Sequence, residues 1–106
     1  MTIRVALVVA VLTAASACTA AAAPMGTMRT SVFGCPSATD TRAGNAIWRS
    51  KGYDAAWKVS KPKGCKPFTI EERVSIIHGG AEAKCAVRSG ESGPCLWIPA
   101  ETVKAD

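Results

Sequence analysis

The side chains best equipped for chemistry in this chain are a single histidine and five cysteines. His78 and Cys85 together would supply the imidazole and the thiol of a nucleophilic pair. Such chemistry needs a free thiolate, and a sulfur already joined to another sulfur cannot supply one. Cys85 has a better partner in Cys95, so no catalytic site and no enzyme is expected. Zinc is the other chemistry that these residues could serve, but no Cys-x-x-Cys spacing occurs. No metal or cofactor is expected. Glu71 and Glu72 do not form a carboxylate pair either. As neighbours at a strand entry they would point to opposite faces and read as solvated edge charges.

The cysteines make sense once the chain is divided. Thr2 to Arg4 carry one positive charge, Val5 to Leu12 are unbroken apolar, and Thr13 to Ala23 are almost all small. That order predicts a secretory signal segment over 1–23. Its apolar run is far short of the roughly 20 residues that span a bilayer. Ala15-Ser16-Ala17 and Ala20-Ala21-Ala22 both suit a signal peptidase. Ala14 to Cys18 also resembles a degenerate lipobox, with Ala15 where leucine is usual, so Cys18 is a candidate for lipidation. The expected location is therefore periplasmic or secreted, with membrane attachment only through Cys18. Removing the leader leaves about eighty residues, and a core that small rarely supplies more than ~3–5 kcal/mol. Cys35, Cys65, Cys85 and Cys95 then read as a disulfide framework in an oxidising compartment.

Several elements are expected to position these residues. Residues 24–34 show no sustained period and read as a flexible lead-in to a domain over 35–106. Ser37 to Lys51 predicts a helix, with Ser37 or Thr39 as cap, Asp40 in the first turn and Gly52 as stop. From Ala56 onward the pattern reads as strand. Trp57-Lys58-Val59, Arg73 to Ile77, Lys84 to Arg88 and Cys95 to Ile98 are separated by Gly- and Pro-rich breaks. The fold class is mainly β, a small barrel or twisted antiparallel meander with one short helix. A hairpin centred on Gly90 would set Cys85 opposite Cys95, within disulfide reach, leaving Cys35 for Cys65. Four cysteines allow three connectivities, and Pro94 could shift the register.

The stretch Phe68 to Val103 resembles the second half of a bacterial Src-homology-3-type domain. In that family a Gly-x-x-Val-x-Val-like strand precedes a hairpin, and the chain closes on Gly-Trp-Val-Pro-Ala-Glu-x-Leu. Here Glu72 to Ile77 and Leu96-Trp97-Ile98-Pro99-Ala100-Glu101-Thr102-Val103 occupy those places. The first half departs from the pattern, and Thr102 and Lys84-Cys85 stand where the eukaryotic branch uses aromatics to bind proline-rich helices. The resemblance implies an SH3-like barrel and a binding role in the cell envelope.

Lys51, Lys58, Lys61, Lys63 and Lys66 fall in one short stretch opposed only by Asp54. Without Arg4 the chain keeps twelve Lys and Arg against eight Asp and Glu. A lysine-dense loop attracts anions over about a Debye length, or serves only to keep the chain in solution. Trp48, Tyr53 and Trp57 lie in the same segment. Exposed, they would add contact area; alternatively one tryptophan packs under the loop. Trp97, between apolar neighbours, reads as core. The expected function is a non-enzymatic envelope binding module, whose Lys/Trp face meets a cell-envelope polyanion or an envelope protein. A small secreted inhibitor or accessory subunit is the alternative. Nucleic acid is excluded on compartment grounds.

Overall fold

The computed structural model describes residues 24–106. The leader and Cys18 lie outside the described residues. Seven short strands and two helices follow one another: β1 (Met25–Met28), β2 (Val32–Gly34), α1 (Ala38–Lys51), α2 (Tyr53–Ser60), β3 (Lys66–Phe68), β4 (Arg73–Gly79), β5 (Ala83–Arg88), β6 (Leu96–Pro99) and β7 (Val103–Ala105). Short 3-10 turns at Lys61–Lys63 and Ala100–Thr102 precede β3 and β7. The five-stranded sheet runs β6-β5-β4-β1-β7 and is antiparallel throughout. β2 and β3 form a separate antiparallel ribbon. A single bridge from Cys35 to Trp97 joins the ribbon to β6.

Residues 24–34 are no lead-in, and the domain includes them. β1 lies inside the sheet between β4 and β7, and its side chains alternate half-buried and buried. Its signature is hard to read because Gly26 sits where a side chain would be apolar. A Cβ there would lie 2.9 Å from Val103 Cγ2 and 3.0 Å from the Lys104 carbonyl, so the close approach of β7 requires glycine. β2 divides its side chains between two cores. Val32 joins Met28, Phe68, Val74, Ile76, Ala86, Leu96, Ile98 and Val103 in the sheet core. Phe33 and Cys35 join Ala56 and Cys65 under the helices.

α1 begins and ends where its sequence signals indicate. Ser37 Oγ accepts the Asp40 N–H at 3.1 Å, and Gly52, at φ +95°, donates its N–H to the Trp48 carbonyl. Gly52 also launches α2, which replaces the strand expected at Trp57-Lys58-Val59. Three alternating residues are too few to define a period. Ala56 and Ser60 lie one helical turn apart and are both buried, Trp57 beside Ala56 packs on the same core, and Val59 stays exposed. The two helices meet closely where Gly44 faces Ser60, since a Cβ on Gly44 would lie 2.5 Å from Ser60 Oγ.

The polar face of α1 is used to finish a sheet edge. Asn45 Oδ1 accepts the Phe33 N–H at 2.9 Å, and Asn45 Nδ2 donates to the Phe33 carbonyl at 3.2 Å. One amide side chain thus pairs both backbone groups of Phe33, as a neighbouring strand would. One turn earlier, Thr41 Oγ1 accepts the Cys35 N–H at 3.0 Å and donates to the Trp97 carbonyl at 2.7 Å. On the other side of Phe33 the partner is Pro67, which has no N–H to give.

Both disulfides form as the hairpin reading favours, Cys35 with Cys65 and Cys85 with Cys95. The register differs from expectation. Cys85 faces Trp97 across the ladder, and Cys95 reaches it from the loop before β6, with the two Cα atoms 5.2 Å apart. The break through Gly93-Pro94 moves the hairpin centre past Gly90. At the far edge, Arg73 on β4 grips Asp106 with two hydrogen bonds and also reaches Thr27 on β1. The guanidinium hydrogen bond holds the Asp106 carboxyl below its ordinary range.

Asn45→Ala leaves the Phe33 N–H and carbonyl unpaired and should cost about 2–3 kcal/mol. Ser60 has a buried hydroxyl with no hydrogen-bond partner among the described residues, so Ser60→Ala should cost nothing or stabilise slightly. Urea denaturation of the two variants measures both. Equal losses would contradict this account of the interface.

Candidate functional site

The segment rich in lysine and aromatics folds as the helical pair, with Phe33 at its centre. Phe33 is completely buried. Its ring lies 4.8 Å from Trp48, 5.6 Å from Tyr53 and 5.8 Å from Trp57, centroid to centroid. Tyr53 meets Trp48 edge-on at 5.0 Å and stacks on Trp57 at 6.3 Å. The Cys35–Cys65 bridge belongs to the same cluster. Trp48 and Trp57 are therefore half-buried packing groups with one face on Phe33. Tyr53, 38 % exposed, is the aromatic most open to solvent. Phe33 was missed because it falls in the stretch read as a lead-in; its signal was the apolar pair Val32-Phe33 just before Cys35.

The five lysines do not act together. Lys61 Nζ lies over the Trp57 ring, 5.9 Å from its centroid, so Tyr53, Trp57 and Lys61 form a row at helical spacing that runs from α2 into the 3-10 turn after it. Lys51 at the end of α1 and Lys58 on α2 are exposed, and among the described residues neither is in an ion pair. Lys63 turns away to Asp40 at 3.5 Å. Lys66 lies on the β2–β3 ribbon opposite Gly34. The solvent-open side chains that remain are Lys51, Lys58 and Lys61, beside the Tyr53–Trp57 stack, with Trp48 edge-on to Tyr53.

A second concave region lies along the other side of α1. A cleft of about 450 Å³ is bounded by Thr41, Arg42, Asn45 and Arg49 on the helix, and by Glu82, Trp97, Pro99 and Glu101 on the sheet side. A neighbouring hollow of about 400 Å³ shares Asn45, Arg49, Pro99 and Glu101 with it. Ala100 donates its N–H to the Glu82 carbonyl at 2.9 Å, which holds the two acidic segments together. Among the described residues Arg42, Arg49, Glu82 and Glu101 form no ion pair. Nothing in the sequence pattern pointed to this cleft, because its walls come from three separate segments.

Trp97 is half-buried on the outer face of the sheet, and the core positions beside it are Leu96 and Ile98. His78 lies on β4. The β4–β5 register slips between Ile76 and His78, so Ile77 is a bulge, and His78 faces Cys85. Its ring stands edge-on to Trp97 at 5.2 Å, and its Nε2 lies 3.9 Å from Cys95 Sγ. His78, Cys85 and Cys95 thus bring three potential metal-ligand atoms within 4.8 Å of one another, while the two sulfurs are joined as a disulfide. Among the described residues no helix is long and apolar enough to cross a membrane. No protein-family model, curated protein or solved structure matches the chain.

The two kinds of residue in the helical face should respond differently to substitution. Trp57→Ala removes packing on Phe33 and should cost roughly 2–4 kcal/mol. Lys58→Ala and Lys61→Ala should change stability by less than about 0.5 kcal/mol each. Thermal unfolding of the three variants checks this. A neutral Trp57→Ala would mean that the aromatic cluster is not a core.

Proposed function

We propose that this chain is an exported, non-enzymatic binding module. Its helical face would contact an anionic component of the cell envelope or an acidic envelope protein. The observation that carries the reading is the row Tyr53–Trp57–Lys61, which runs from α2 into the turn after it, together with the exposed Lys58 and Lys51, which are in no ion pair among the described residues. The aromatic faces provide apolar contact area on a rigid base, and the lysines provide a positive field. Two disulfides fit an oxidising compartment. The leader-like segment 1–23 supports export, either as a soluble periplasmic or secreted protein or as a lipoprotein anchored at Cys18.

The SH3-like reading is part of the same proposal. The strand order β6-β5-β4-β1-β7, with a 3-10 turn between β6 and β7, supports a small barrel of that kind. On this reading the helical pair is an insertion between the first and second strands of the barrel. A protein partner, as expected of an accessory subunit or inhibitor, is the second reading, favoured by the cleft. Its two arginines and two glutamates suit a polypeptide carrying both signs of charge.

Co-sedimentation separates the two readings. Wild type is expected to pellet with purified peptidoglycan or with vesicles containing anionic lipid, and to be released as salt rises. Lys58→Ala and Lys61→Ala should each weaken binding about fivefold, the effect of about 1 kcal/mol per lysine near an anionic surface. Lys63→Ala should do less, since Lys63 already faces Asp40. If wild type and variants alike stay in the supernatant, the envelope-polyanion reading fails. If capture of an envelope protein is lost on Arg42→Glu and Glu101→Lys but kept on Lys58→Ala, the cleft is the binding site.

A further inference from the structure

We infer that His78, Cys85 and Cys95 form a redox-gated site for a thiophilic metal ion, closed while the two sulfurs are joined and opened when a dithiol reduces them. The bulge at Ile77 turns His78 out of the sheet core and onto the face that carries Cys85. It does so directly across the ladder from Cys85, with Nε2 3.9 Å from Cys95 Sγ. In a tetrahedral zinc site with bonds of about 2.3 Å to sulfur and about 2.0 Å to nitrogen, sulfur and nitrogen ligands stand about 3.6 Å apart. His78 and Cys95 therefore already have nearly the separation that a shared ion needs. The two sulfurs must part to about 3.8 Å, a change that side-chain rotation supplies.

The two bridges differ in ways that allow one to open alone. Cys35 and Cys65 are both buried inside the helical core. Cys95 is only partly buried and His78 is exposed, so a reductant and then an ion can reach them. The strands that Cys85–Cys95 joins are already paired from Ala83–Pro99 to Ala86–Leu96, so the sheet does not depend on this bridge for its register. Reduction moves two electrons and two protons from the dithiol to the bridge, giving two cysteine thiols and the oxidised dithiol. Metal binding then releases both thiol protons as the sulfurs bond to the ion. Two thiolates and an imidazole make a soft ligand set with room for a fourth ligand, which suits zinc(II) or, in three-coordinate form, copper(I).

The full chain, treated with graded dithiothreitol under nitrogen, tests the proposal. Alkylation and mass spectrometry should find Cys85 and Cys95 reduced while Cys35–Cys65 persists, with the circular dichroism spectrum unchanged. Cobalt(II) added to that form should give a thiolate-to-metal charge-transfer band, which zinc(II) then displaces. A parallel titration with copper(I) against a chromophoric chelator distinguishes the two ions. The oxidised protein should give no band, Cys95→Ser should lose it, and His78→Ala should weaken binding by about tenfold or more, one of three protein ligands being gone. The proposal is overturned if the reduced protein gives no band with cobalt and takes no copper. It is equally overturned if His78→Ala binds as tightly as wild type, or if both bridges open together and the fold is lost.

Discussion

The structure depends on how the backbone of β2 is satisfied on the side away from β3. A strand left with one open edge must find partners, and in most small sheets another strand supplies them. Here α1 does so with two side chains one turn apart. Asn45 closes both groups of Phe33, and Thr41 reinforces the bridge to β6, where the Cys35 N–H also donates directly to the Trp97 carbonyl and the Trp97 N–H to the Cys35 carbonyl. These contacts fix the rotation of α1 about its axis, and every other feature of the helical pair follows. Ile47 and Trp48 are directed to Phe33, while Arg42, Ala46 and Arg49 border the cleft. Gly44 faces Ser60, which sets the distance of α2.

The domain consequently has two cores of unequal character. The sheet core is aliphatic, with Phe68 as its aromatic member, and lies between the five-stranded sheet and the β2–β3 ribbon. The helical core is aromatic and small, and Cys35–Cys65 spans it. By loop-closure entropy that bridge, between residues 30 apart, is worth about 3.6 kcal/mol, and the one between residues 10 apart about 2.7 kcal/mol. The larger contribution thus falls where apolar burial is weakest. The smaller one falls on a hairpin already held by its ladder, so the fold depends less on Cys85–Cys95 than on Cys35–Cys65.

Much of this could be read from residue order. α1 announced itself through Ser37, Asp40 and Gly52, β4 and β5 through runs of alternating apolar residues, and the disulfide pairing through the hairpin. The parts that could not be read share a cause: each is decided by contacts far away in the chain. β1 reads as a linker because Gly26 is dictated by β7. Trp57-Lys58-Val59 alternates like a strand but winds as a helix because Phe33 and α1 offer a face for Ala56, Trp57 and Ser60. The lysines look like one cluster along the chain, yet folding turns Lys63 to Asp40 and sets Lys66 on another ribbon. The cleft and the His78 site are assembled from separate segments, and the bulge that aims His78 has no local marker.

The exposed lysines lie on or next to α1 and α2, and α1 forms one wall of the cleft, so the geometry of both regions depends on how the helical pair is held to the sheet. Native-state amide hydrogen exchange tests this most directly. If the Asn45 contact holds as described, the Phe33 amide exchanges as slowly as those of Val74 and Ser75 in β4, through global unfolding alone. Exchange at Phe33 as fast as at the exposed turn residue Gly90, with β4 still protected, would show that the helices lift away from the sheet and would contradict the account.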